Sequence, residues 1–160
     1  MEKKKYSSIQ LTALVSLRVL IGWHFLYEGI VKVLNPYWSS AGYLLDAKWI
    51  FSGLAKTMVS SPATLKIVDF LNEWALIAIG VGLIAGFLTR TASISGIVLL
   101  FLYYIFHPSF IGYAYTTPAE GSYLFVNKNL IEMCALFVLT LFPTGTAIGL
   151  DRFIFKKNKS

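Results

Sequence analysis

Four long apolar stretches, separated by short polar ones, set the pattern along the chain. The first runs from about Leu11 to Leu34 and stops at Asn35-Pro36. The second becomes apolar near Phe70 and continues to Leu88, with no charge between Glu73 and Arg90. Ahead of it, Ser61 is a candidate helix cap and Pro62 a first helical residue, where a missing N–H is no loss. The third runs from about Thr91 to Phe106 and ends at His107-Pro108, and the fourth from about Leu124 to Phe142, ending at Pro143-Thr144-Gly145. A helix needs roughly 20 apolar residues to cross about 30 Å of hydrocarbon. Strands of a closed barrel would alternate polar and apolar residues, and these runs do not. The pattern predicts an all-α, integral membrane four-helix bundle, with spans at about 11–34, 70–88, 91–106 and 124–142 of a single domain covering 1–160.

Composition agrees. Hydrophobic residues make up 56% of the chain and charged residues only 14%, against about 25% charged in a soluble domain. A chain of 160 residues cannot bury that much apolar surface in its own core. The net charge of +6 gathers near the two ends, where it reads as a topology signal and not as a nucleic-acid footprint. Lys3, Lys4, Lys5, Arg90, Arg152, Lys156, Lys157 and Lys159 fall on one side, and Lys48, Lys56 and Lys66 on the other. Both termini are therefore expected in the cytoplasm, with the protein multi-pass in the cytoplasmic membrane. Lys3–Lys5 before an apolar run could also open a signal peptide. The run is long, carries Arg18, His24, Glu28 and Lys32, and lacks a small-x-small cleavage site, so a retained span is the reading. The lone Cys134 excludes an internal disulfide and a CxxC pair, and no metal site is expected.

Between the first two spans, Tyr43, Ala47, Ile50, Phe51, Leu54 and Met58 recur at helical spacing with Trp38 and Trp49 nearby. This predicts a short interfacial helix, with a plain surface loop as the alternative. Residues 107–123, containing Tyr113, Tyr115 and Pro118, read as an ordered cap or loop. Ala78, Gly82 and Gly86 on the second span, and Ala92 and Gly96 on the third, form small-residue stripes suited to close packing inside the bundle.

Ionisable residues within the spans carry the functional reading, because each is expensive in lipid and so pairs or lines a polar cavity. His24, Glu28 and Lys32 are spaced by four and stack on one face of the first helix; Lys128 and Glu132 repeat that spacing on the fourth, beside Asn129. At about 1.5 Å per residue, Glu28, Glu132 and His24 sit roughly 9, 12 and 15 Å below the outer ends of their helices. Glu73 and Lys32 are shallower. A polar pocket in the outer half of the bilayer follows, with Arg18 lying apart, nearer the cytoplasm. The candidate site is Arg18, His24, Glu28, Lys32, Glu73, Lys128, Asn129 and Glu132. On the other reading, Glu28–Lys32 and Lys128–Glu132 only neutralise each other and lock helix register, and Arg18 snorkels to headgroups. Asp69 with Glu73 lies at the water boundary and is expected to be solvated. His24 and His107 differ in depth by roughly 15 Å, a poor haem pair.

Arg18, Gly22, Phe25, Gly29 and Lys32 on the first span resemble the opening of the DoxX/DoxD-like membrane family. The stretch from Glu73-Trp74 through Gly86-Phe87-Leu88-Thr89-Arg90 is similar to that family's second helix and basic turn, and Gly145 to Gly149-Leu150-Asp151 to its glycine-rich close. The resemblance implies a four-helix plasma-membrane protein linked to quinone-coupled redox chemistry, DoxD being a subunit of an archaeal thiosulfate:quinone oxidoreductase. It carries over to Arg18, Glu28, Gly29, Lys32, Glu73, Arg90, Asn129 and Asp151. The expected function is a quinone-interacting subunit of a thiosulfate- or thiol:quinone oxidoreductase-like system. It would hold no intrinsic cofactor, lie in the lipid bilayer, and receive electrons from a partner redox subunit on the outer face over residues 35–61 and 107–123. The alternative is a non-catalytic membrane partner or lipid-binding scaffold whose buried charges are structural.

Overall fold

The computed structural model describes residues 6–116 and 124–155; the terminal lysine clusters and Pro118 lie outside them. Among the described residues the regular structure is helical, without strands. Helix α1 (Ser8–Leu34) opens on a reciprocal cap: Gln10 N donates to Ser7 Oγ at 3.2 Å and Ser7 N to Gln10 Oε1 at 3.0 Å. After it come α2 (Ala41–Leu45), a 3-10 turn (Trp49–Phe51), α3 (Ser52–Ser60), α4 (Pro62–Ala85), α5 (Thr89–Phe106), α6 (Lys128–Leu141) and α7 (Asp151–Phe155). Ser61 caps α4 with Pro62 at its first position, as the sequence predicts.

Helices α1, α4 and α5 are long and apolar enough to cross a membrane. Their outward faces leave Leu20, Trp23, Phe70 and Phe101 more than half exposed, as lipid-facing side chains are. The fourth apolar run differs from its predicted span of 124–142. Only the 14 residues of α6 are helical, about 21 Å of helix against some 30 Å of hydrocarbon. Leu124 has a left-handed φ of 69°, and Asn127 caps α6 by accepting from Leu130 N at 3.0 Å. Among the described residues three helices are long and apolar enough to cross, and α6 is not one of them.

The single helix expected in 35–61 is also broken. Lys48 is extended and Trp49 has φ 65°, so α2 cannot run into α3. The break lets Lys48 N donate to Phe106 O at 3.3 Å and gathers Leu44, Ala47, Ala55 and Phe106 into a small second core. Asp69, expected to be solvated, holds this segment down: it accepts from Ser39 Oγ at 2.9 Å, Ser40 N at 2.9 Å and Ser40 Oγ at 2.5 Å.

The main core joins α1 and α4 to α5 and α6 through Phe25, Leu76, Leu83, Leu100 and Leu136. Gly22 lies against Leu83 and Ile84, and Gly29 against Leu76 and Ile77, so α1 and α4 run antiparallel in close contact. Of the predicted stripe, Gly82 faces Ala92 within the chain, Gly86 turns the chain, and Ala78 is exposed. The residue that seats α4 on α1 is Gly80, which the stripe omits.

Candidate functional site

The helices place polar side chains at two opposite ends of the bundle. At the end carrying the α4–α5 turn, Arg18 is buried at 3% exposure and does not snorkel. Its Nη1 donates to Thr144 Oγ1 at 3.0 Å and its Nη2 to Ile148 O at 2.9 Å. Asp151 supplies the countercharge nearby. Its carboxylate accepts from Leu88 N at 2.6 Å, Thr89 N at 3.1 Å and Thr89 Oγ1 at 2.7 Å, and so caps α5. Gly86, at φ 67°, faces Gly149 so closely that a Cβ on it would lie 2.6 Å from the Gly149 Cα. Arg18, the Gly86–Arg90 turn and the Gly145–Asp151 close are thus one docked unit. Its bonds are satisfied within the chain, apart from the buried Arg18 Nε.

At the opposite end a cavity of about 1230 Å³ opens between α1, α4, α5 and α6 beneath α2 and the 107–115 segment. This is at or above the size of an ordinary small-molecule pocket, roughly 300–1,000 Å³. Of the predicted site, His24, Glu28, Lys32, Lys128 and Asn129 line it; Arg18 and Glu73 do not, and Glu132 stands behind His24. Lys32 Nζ donates to Glu28 Oε2 at 2.5 Å along α1. Glu28 also lies in the field of His24 and Lys128. Glu132 is bonded across helices to His24, Nδ1 to Oε1 at 2.8 Å.

The remaining wall is aromatic and was not foreseen as a site. Tyr43 and His107 stack with ring centroids 3.7 Å apart and planes 6° apart, and Tyr115 closes the other face of His107 at 4.6 Å. His107 Nε2 donates to Tyr43 O at 2.7 Å, which fixes its proton on that nitrogen. Burial holds the His107 imidazole below its ordinary pKa, against the raising effect of the Tyr43 carbonyl and Asp46. Burial likewise raises the hydroxyls of Tyr43 and Tyr115, the latter to about 12. The three rings stay neutral at physiological pH. Tyr43 Oη donates to Tyr103 O at 2.7 Å, and Tyr103 Oη to Asn72 Oδ1, so α2, α4 and α5 are tied at the cavity. The 107–116 segment is pinned over α2 by Thr116 N to Asp46 Oδ2 at 2.7 Å and by Lys48 Nζ to Ala114 O. Sequence spacing could not find this wall, because its members come from three segments; the clustering of Tyr113, Tyr115 and His107 was the only hint.

Comparison with protein families now adds to this geometry. The DoxX family model matches residues 13–108, from within α1 to just past the end of α5. The chain belongs to the DoxX family. No curated protein and no solved structure matches it. The family match covers Arg18, His24, Glu28, Lys32 and Glu73; Lys128, Asn129, Glu132 and Asp151 lie beyond it. In this DoxX membrane protein the described residues include three helices apolar and long enough to cross, and a large, aromatic, charge-lined cavity.

Proposed function

We propose that this DoxX protein holds the ring of a quinone in the cavity and serves as the quinone-interacting subunit of a membrane redox system. The observation that carries the reading is the cavity wall. The stacked rings of Tyr43, His107 and Tyr115 line the same cavity as the hydrogen-bonding groups of His24, Lys32, Lys128 and Asn72, a combination suited to a planar ring with polar edges. Beside it, an apolar groove of about 430 Å³ between α1 and α6, lined by Leu17, Leu20, Ile21, Ile131 and Ala135, shares His24 and Lys128 with the cavity. An apolar tail would leave by that route. The chain's own residues bind and manage protons; electrons come from a partner subunit docked over residues 35–61 and the 107–116 segment. Native mass spectrometry of the purified protein should show a quinone mass adduct, lost on delipidation and restored by a decyl-substituted benzoquinone. No adduct and no calorimetric binding of that benzoquinone would overturn the reading. Phospholipid alone would support the scaffold reading, which the self-neutralised Glu28–Lys32 pair favours.

In the same reading α6 completes the bundle as a fourth, short span, and both termini are cytoplasmic, as the basic residues dictate. On a Cys134→Ala background, Tyr37→Cys should react with a membrane-impermeant maleimide on intact cells and Tyr6→Cys should not. The reverse pattern would invert the topology.

A further inference from the structure

We infer that His24 is the proton acceptor for a ring hydroxyl in the cavity, with Glu132 as its positioning residue; this rests on the quinone reading above. Glu132 is only 9% exposed, on a wall shared with Ile21, Ile131 and Ala135. Its Oε1 lies 2.8 Å from His24 Nδ1, and its Oε2 is buried without a partner. A buried carboxylate with one orphaned oxygen is stabilised chiefly by the one group bonded to it. Here that group is an imidazole on another helix. As a carboxylate, Glu132 accepts from Nδ1–H and leaves Nε2 with its lone pair.

His24, like Lys128, meets both spaces, lining the cavity and the α1–α6 groove. About a third of its side chain is open, 32%, while Nδ1 is taken. The nitrogen left for a ligand is therefore Nε2. In the proton step the ligand O–H bond breaks and an Nε2–H bond forms. A ring oxyanion faces an imidazolium that Glu132 stabilises, and no electron moves. Other charged groups on the cavity are less suited. Glu28 is already bonded to Lys32 at 2.5 Å, and Lys32 and Lys128 as ammonium groups can donate but cannot accept a proton.

The test compares decylhydroquinone with its dimethyl ether, which keeps the ring and tail and removes both protons. Binding is read by calorimetry under anaerobic conditions. The wild-type protein should bind the hydroquinone about tenfold or more tightly, the scale of a hydrogen bond to a charged or charge-stabilised group. His24→Asn should abolish the preference. Glu132→Gln should reduce it severalfold, because an amide can donate to Nδ1 and turn Nε2 into a donor. A lesion that only loosens the fold would weaken both ligands alike. Equal binding of the two ligands by the wild type overturns the inference while leaving the ring-binding reading intact, and needs no variant to fold. Binding of neither overturns both. A preference that survives His24→Asn also overturns it, and one that survives Glu132→Gln removes Glu132 from its role.

Discussion

Replacing Gly80 by alanine is expected to lower the apparent Tm of the detergent-solubilised protein sharply, and replacing it by valine to leave little folded protein to purify. A Cβ built on Gly80 would lie 2.5 Å from the Leu26 nitrogen and 2.7 Å from the Gly22 carbonyl oxygen. Both are backbone atoms, so no side chain can swing aside. The helices must separate instead, and separation also loosens the contacts of Gly22 with Leu83 and of Gly29 with Ile77. Overpacking of a tight interior costs about 1–3 kcal/mol, and the upper part of that range applies where backbone is the obstacle. Alanine regains about 1 kcal/mol in helix propensity, which is too little to compensate.

Other glycines in the same molecule calibrate the result. Gly82→Ala meets the Ala92 Cβ and the Phe87 oxygen at 3.2 Å, a strain near the size of the propensity gain, so its Tm should barely move. Gly42→Ala meets nothing within 4 Å and should be neutral or slightly stabilising. Unfolding of membrane proteins is often irreversible, so the three variants are to be compared at one scan rate. A Gly80→Ala variant as stable as Gly42→Ala would mean that α1 and α4 do not meet as described.

The helices themselves were legible because each is a long apolar run with punctuation at its ends: Ser61-Pro62, Asn35-Pro36 and His107-Pro108 mark boundaries that the structure keeps within a few residues. What escaped was set by partners distant in the chain. Nothing near Trp49 announces a left-handed backbone, since the conformation follows from Lys48 N reaching Phe106. Helical spacing offered Glu132 only Lys128, four residues away; its bond to His24 depends on how α1 and α6 meet, which no periodicity encodes. The same holds for Asp69, which looked solvated at a helix start and instead secures Ser39 and Ser40. Depth along a helix separated Arg18 correctly from the other charges, because rise per residue is fixed by geometry. Depth gave no hint that Arg18 would be buried.

At that other end, Asp151→Ala is expected to destabilise the fold by about 3–5 kcal/mol, the scale of breaking a buried charged network by removing one partner. The carboxylate receives Leu88 N, Thr89 N and Thr89 Oγ1 and is only 3% exposed. Alanine would leave three donors buried without an acceptor and Arg18 without its nearby negative charge. Asp151→Asn retains one acceptor oxygen but turns an amide N–H₂ towards a backbone N–H, so its loss should fall between alanine and wild type. Arg18→Met removes the charge that Asp151 balances. If the two act as one network, Arg18→Met combined with Asp151→Asn should cost less than the sum of the single changes, by about 0.5–3 kcal/mol. Thermal unfolding of the four proteins in one detergent measures this. Independent, additive losses would show that Asp151 serves only as the cap of α5. In every variant that folds, calorimetric binding of decyl-benzoquinone should match the wild type, because the Arg18–Asp151 unit lies at the end of the bundle away from the cavity and lines no part of it.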